Sequence, residues 1–290
     1  MTGNTAYIGE IQKNQSFKGM KQNKYFKSEA KRALFAADNL YKAVIAHFLC
    51  GVISGGFLYM TFFVPDLSVV FFADFIGETS AKLLSTVVTV ILAVLFSFFL
   101  FAFFLGAYTF SAGMRSDTDS TPGAPDPSDL SELLSPVNSM RHLGRTLTLY
   151  FIYAFEIIIA VSPSVFVILY SDAIGIGQFT AALMNTVAVA CSLFIFLFFT
   201  ALLTPLPYVL KEDDGIGAFS AYKKSAAAAM CGIWRIYSLF FSFIPLILVS
   251  ALTFGVLYFA YSLPYMTAAF TKAGEYLYYI ENPERRHINE

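Results

Sequence analysis

Residues 147–170 read LTLYFIYAFEIIIAVSPSVFVILY, an apolar run that holds a single charged residue, Glu156. An α-helix of about 20 such residues crosses the ~30 Å hydrocarbon of a bilayer, so this run is long enough to span. Four more runs qualify on the same grounds, at 43–64, 83–110, 179–203 and 237–261, each bounded by polar or turn-forming residues. Composition agrees: 57% of the 290 residues are hydrophobic, 13% are charged and the mean hydropathy is +0.63, outside the usual range for a water-soluble chain. The expected fold is therefore all-α, a polytopic integral membrane helical bundle of about five transmembrane helices plus interfacial helices. Its first partner is the lipid bilayer. With about forty mostly polar residues ahead of it, the first run reads as a retained span rather than a cleaved leader.

The segments between the runs complete the layout. Asp66 to Lys82 carries Asp66, Asp74, Glu78 and Lys82 and reads as a surface connection. Residues 264–280 are rich in Tyr and Phe but include Lys272 and Glu275, which predicts an interfacial helix lying on the bilayer before a polar tail. Three parts follow: a basic arm over 1–42, a transmembrane bundle over 43–263, and the interfacial helix and tail over 264–290. Within the bundle, 112–145 reads as a flexible loop. Its stretch 116–128 has three Pro and no bulky apolar residue to build a core, and 130–145 regains enough apolar character for a short surface helix. Residues 216–235 read as an amphipathic helix, with Phe219, Tyr222, Ala226, Met230 and Ile233 on one stripe and Trp234 at headgroup level.

Charge sets the direction of insertion. Lys and Arg number eight in 1–42, one in the first connection, three between the second and third runs, none in 171–178 and four between the fourth and fifth. Basic residues gather on the cytoplasmic side, so the N-terminus and the second and fourth loops are expected in the cytoplasm. Five spans place the C-terminus outside, against the pull of Lys272, Arg285 and Arg286 in the tail. Lys21, Lys24, Lys27, Lys31 and Arg32, interleaved with Phe26, Leu34 and Phe35, are also expected to lie against anionic lipid headgroups, each contributing ~1 kcal/mol. A net charge of −1 gives no attraction to nucleic acid. Gly51 and Gly55, one turn apart, allow close helix approach, within the chain or toward a homodimer or another membrane protein partner.

Catalytic patterns are missing. Cys50, Cys191 and Cys231 form no Cys-x-x-Cys pair, His47, His142 and His287 are scattered, and neither a phosphate-binding Gly-rich loop followed by Lys nor a Gly-x-Ser-x-Gly elbow occurs. The chain reads as non-enzymatic, without cofactor or metal. Glu156 remains. A charge at mid-span costs ~3 kcal/mol or more, so this carboxyl has to be protonated, paired or open to water. Tyr153 and Pro163 share its side of the helix, and His47, the only other Asp, Glu, Lys, Arg or His within the five runs, is the candidate partner. Either Glu156 is a neutral group hydrogen-bonded between helices, or it is the proton-linked or substrate-contacting residue of a small-solute or ion transporter.

From Pro207 to Ile216, at Ala221-Tyr-Lys-Lys-Ser225, Gly232-x-Trp-Arg235, Ser242-Phe243, Thr253-Phe-Gly255 and Pro264-Tyr265, the chain resembles a bacterial family of integral membrane proteins. That family is catalogued as the domain of unknown function numbered nine hundred and seventy-five. More distantly, the chain is similar to the membrane domain preceding some glycerophosphodiester phosphodiesterases. The resemblance covers about residues 200–280. It implies a bacterial cytoplasmic membrane location and a non-catalytic helical bundle, and it brings no functional residues with it. A structural or interaction role in the envelope is the expectation, with transport through Glu156 as the alternative.

Overall fold

The computed structural model describes residues 19–36, 39–114, 130–171, 178–253 and 255–281, and among them the chain is helical almost throughout, with no strand. In order these are α1 (Gly19–Phe35), α2 (Asn39–Ile76), α3 (Glu78–Gly113), a 3-10 segment (Leu130–Val137), α4 (Met140–Ser171), α5 (Gln178–Leu202), α6 (Leu206–Glu212), α7 (Ala218–Met230), α8 (Ile233–Phe241), α9 (Ile244–Leu252), a π segment (Tyr258–Ser262) and α10 (Leu263–Glu281). The loop 116–128 and the polar tail beyond Glu281 lie outside the described residues.

This is an all-α, multi-pass membrane bundle. Among the described residues four helical stretches are long and apolar enough to cross a bilayer: Glu78–Gly113, Met140–Tyr170, Thr180–Glu212 and Ile233–Leu252. A fifth results if the bent pair Gln22–Phe35 and Asn39–Gly56 counts as one span. Of the most apolar stretch of α3, and of α4, only 11% is buried, so Val87, Val90, Ile91 and Val94, or Phe151, Phe155 and Ile158, face outward. Large apolar side chains on the outside are stable in hydrocarbon and unstable in water. In hydrocarbon every backbone N–H has to find its carbonyl within the segment, which makes helices of these Val- and Phe-rich runs despite their modest intrinsic propensity.

Two compact units share the chain: described residues of 31–146 and 245–268 form one, and those of 1–30, 147–244 and 269–290 the other. In the first unit α2 and α3 pair along most of their length. The polar stretch 66–82, expected as a surface connection, is instead helical up to Ile76 and again from Glu78. A few charged residues do not stop a helix. Gly77 does, with φ +79°, a left-handed value that L side chains adopt only under strain. Of residues 130–145, expected as a short surface helix leading into the next span, Leu130–Val137 form the 3-10 segment packed on α3, with Leu133 buried, and Met140 onward already belongs to α4. That packing needs Gly106, because a Cβ there would sit 2.1 Å from the carbonyl oxygen of Leu133. Thr146 Oγ1 donates to Pro136 O at 2.8 Å, fastening the segment to the start of α4.

The expected fifth run, 237–261, is broken. Ile233–Leu252 carries the apolar stretch and ends at a turn where Gly255, φ +82°, closes its N–H onto Ser250 O at 3.2 Å. Beyond it the chain runs through the π segment into α10. There α10, read as an interfacial helix, buries Met266, Phe270, Ala273, Leu277 and Tyr278. In the second unit it packs so closely that a Cβ on Gly274 would meet Thr204 O at 2.8 Å. Of its tyrosines, which suggested a lipid interface, Tyr278 is buried in the protein and the Tyr279 hydroxyl is bonded to Tyr208.

The described part of the basic arm also packs one face against the protein. In α1, Asn23, Phe26, Ala30, Ala33 and Leu34 are buried, with the Phe26 ring edge-on to Tyr276 at 5.5 Å. Lys24, Lys31 and Arg32 remain exposed, whereas Lys27 donates to Ser242 O at 2.8 Å and lies 4.3 Å over the Phe243 ring. The stripe of 216–235 is turned outward: Phe219, Met230 and Trp234 are exposed, and α7 packs through Ala218, Ala221, Ser225, Ala228 and Ala229. Small side chains bring the backbones together, and Ser225 Oγ donates to Leu202 O at 2.6 Å, satisfying a carbonyl at the end of α5.

Candidate functional site

Glu156 sits near the middle of α4 with only 4% of its surface exposed. Its partner comes from α7: the Tyr222 hydroxyl donates to Glu156 Oε1. Tyr222 is delivered by the tight seat of α7 on the end of α5, and the Ser225 bond one turn on fixes its register. Burial, followed by the hydrogen bond to Glu156 and the charge of that carboxylate, raises the Tyr222 phenol above its ordinary range, so it stays protonated and donates. Glu156 Oε2 is buried and has no hydrogen-bond partner.

A groove of about 480 Å³ opens beside the pair. Phe151, Ile152, Phe155, Ile159, Phe199 and Phe219 form most of its wall, and Thr148, Glu156 and Tyr222 are the polar residues on it. Phe151, Phe155 and Phe219 are each more than half exposed, so the groove is open on its aromatic side. Nearby, the Tyr153 hydroxyl is bonded to Thr200, and Ser164 and Ser192 share a 2.8 Å hydrogen bond between α4 and α5. The Glu156 carboxyl thus lies behind an apolar recess with one oxygen bonded and the other buried without a partner.

His47, expected to pair with Glu156, is bonded elsewhere. It is fully buried in the other unit, with Nδ1 2.7 Å from Ala43 O and Nε2 3.1 Å from Thr267 Oγ1. A carbonyl only accepts, so Nδ1 carries the proton and Nε2 accepts from Thr267. Ser111 Oγ lies 3.4 Å from the same threonine, linking α2, α3 and α10. Gly51 and Gly55 divide. A Cβ on Gly51 would lie 2.9 Å from the Phe259 ring, whereas nothing lies within 4 Å of that position on Gly55. Of the arm residues, Lys24, Lys31 and Arg32 are exposed on α1, Lys27 is half-buried under its contacts with Ser242 and Phe243, and the Lys21 side chain lies outside the described residues.

Sequence reading missed two groupings. Tyr222 was seen only as part of an apolar stripe, although its phenol O–H is also a hydrogen-bond donor that can serve a buried carboxyl. The second is a tyrosine cluster, where Tyr208 and Tyr279 share a 2.5 Å hydrogen bond and Tyr208 lies 3.2 Å from Glu212 Oε2. The Tyr-rich ending of α10 was its one available signal. Among the described residues no group of three or more His, Cys, Asp or Glu is placed to hold a metal ion. No family model matches the chain, and neither a curated protein nor a solved structure matches it.

Proposed function

We propose that this multi-pass membrane protein resides in the bacterial cytoplasmic membrane with its N-terminus inside and has a non-enzymatic structural or interaction role. Kinship with the domain of unknown function numbered nine hundred and seventy-five, on the residues quoted between 207 and 265, is part of the same proposal.

The observation that carries it is the bonding of Glu156. A proton-linked transport residue works within a chain of polar neighbours or an aqueous cavity. Glu156 is held instead by a tyrosine of the neighbouring α7, in a recess walled mainly by Phe and Ile. Two further buried pairs, His47 with Thr267 and Ser250 with Ser262, likewise join one helical segment to another. Such bonds hold a membrane bundle in register where lipid offers no competing partner.

The test is proton flux. Full-length protein in proteoliposomes loaded with a pH-sensitive dye, under an imposed membrane potential, is expected to leak protons no faster than protein-free vesicles. A protein-dependent flux that disappears in Glu156→Gln would establish the transport reading in its place.

A further inference from the structure

Beyond a structural role, the groove at Glu156 has the makings of a ligand site. Its carboxyl is 96% buried by the exposure given above, yet only Oε1 is bonded, and Oε2 is left without a partner. A buried acceptor with no donor is costly, and the cost falls when an incoming N–H or O–H fills the position. The surroundings narrow the choice of donor. Phe151, Phe155, Phe199 and Phe219 give a soluble polar molecule nothing to bond, but aromatic rings suit a cation and an apolar wall suits a hydrocarbon chain. An anion is repelled by the carboxylate. A quaternary ammonium has no N–H to give Oε2. The open, aromatic side of the groove lies on the outward surface of α4, among the exposed apolar side chains of a spanning helix, so the occupant enters from lipid.

We propose that the groove binds a membrane amphiphile with a primary ammonium head, the ammonium donating to Glu156 Oε2 and the adjoining chain lying along the phenylalanines. Tyr222 keeps Oε1 occupied and so orients Oε2 as the receiving atom. Glu156→Gln is the informative variant: its amide oxygen still accepts from Tyr222, but the position of Oε2 becomes an N–H₂ donor that faces the ammonium. Phe219→Trp acts on the chain instead, enlarging an exposed wall residue without touching the hydrogen bonds.

The experiment is native mass spectrometry of the full chain from nonionic micelles containing equal amounts of phosphatidylethanolamine, phosphatidylcholine and phosphatidylglycerol. Wild type is expected to retain phosphatidylethanolamine over the other two by roughly tenfold, the ratio one charge-assisted hydrogen bond provides. Glu156→Gln is expected to lose that preference, and Phe219→Trp to lower the retention of all three lipids. Equal retention of the three lipids by wild type overturns the proposal. A preference that survives in Glu156→Gln overturns the head contact, and undiminished retention in Phe219→Trp overturns the placement of the chain. Should Glu156→Gln fail to give monodisperse, helical protein, Phe219→Trp decides alone. Free ethanolamine binding as tightly as the lipid removes the membrane as the source of the ligand.

Discussion

A carboxyl group inside an apolar bundle has two oxygens to satisfy, and the Glu156 environment satisfies one. Removing Tyr222 is therefore worse than neutralising Glu156. In Tyr222→Phe both oxygens are left buried without a donor, at a cost of about 1–3 kcal/mol. Glu156→Gln keeps the acceptor for the phenol and should stay near wild type, whereas Glu156→Leu strands the Tyr222 hydroxyl and should lower stability by about 1 kcal/mol. Combining Tyr222→Phe with Glu156→Leu removes both partners, so the double variant should lose less than the sum of the singles, and the difference is the coupling energy of the pair. Thermal unfolding in detergent measures the set. Strict additivity would show that the two side chains do not share a bond. The pairing itself was not legible in the chain, because 66 residues separate the partners and only formally charged side chains had been considered as mates for the carboxyl. His47 was favoured on charge alone, and a backbone carbonyl and a threonine had already taken both its nitrogens.

Helices show a similar division between what a pattern reveals and what packing adds. Spans such as 147–170 were readable because insertion depends on a local property, the summed hydropathy of about twenty neighbours. Their ends and their inner faces depend on contacts with distant residues. The inner face of α7 is Ala and Ser, which have no hydrophobic signature to set against Phe219 and Trp234, and so its outward stripe was the visible one. The same blindness hid the seat of the 3-10 segment, which rests on the absent side chain of Gly106. Gly106→Ala forces a methyl into the Leu133 carbonyl, a backbone atom that has no rotamer to escape into. We expect a loss of about 1–3 kcal/mol, the usual cost of overpacking, together with faster proteolysis near residue 130. Gly144→Ala is the matched control: Gly144 is exposed in α4 with nothing within 4 Å of its Cβ position. There the substitution should stabilise by roughly 0.5–1 kcal/mol through helix propensity alone. If both variants shift in the same direction by similar amounts, close packing at Gly106 is not what holds the segment.

For the molecule as a whole, the distribution of Lys and Arg is the property that decides orientation, since it acts during insertion, before any of these contacts exists. The segment counts of eight, one, three, none and four predict that the N-terminus and the loops around Ser120 and Asp213 lie on the cytoplasmic side. Burial of one face of α1 leaves this argument intact, because Lys24, Lys31 and Arg32 keep their charged ends exposed and Lys27, though bonded to Ser242 O, still counts as a basic residue ahead of the first span. The break after Leu252 bears on the far end of the chain only, since it follows every segment used in the count. Three cysteines complicate the measurement: Cys50 is buried, but Cys191 and Cys231 are exposed on the protein surface. With all three replaced by Ala, single cysteines at Ser120, Asp172 and Asp213 can be challenged in intact cells with a membrane-impermeant thiol reagent. Only the site at 172 is expected to react, and the other two should react once the membrane is permeabilised. Labelling at 120 and 213 with silence at 172 would invert the protein in the membrane and would mean that the basic arm crosses to the outside, against the direction that the count of Lys and Arg predicts.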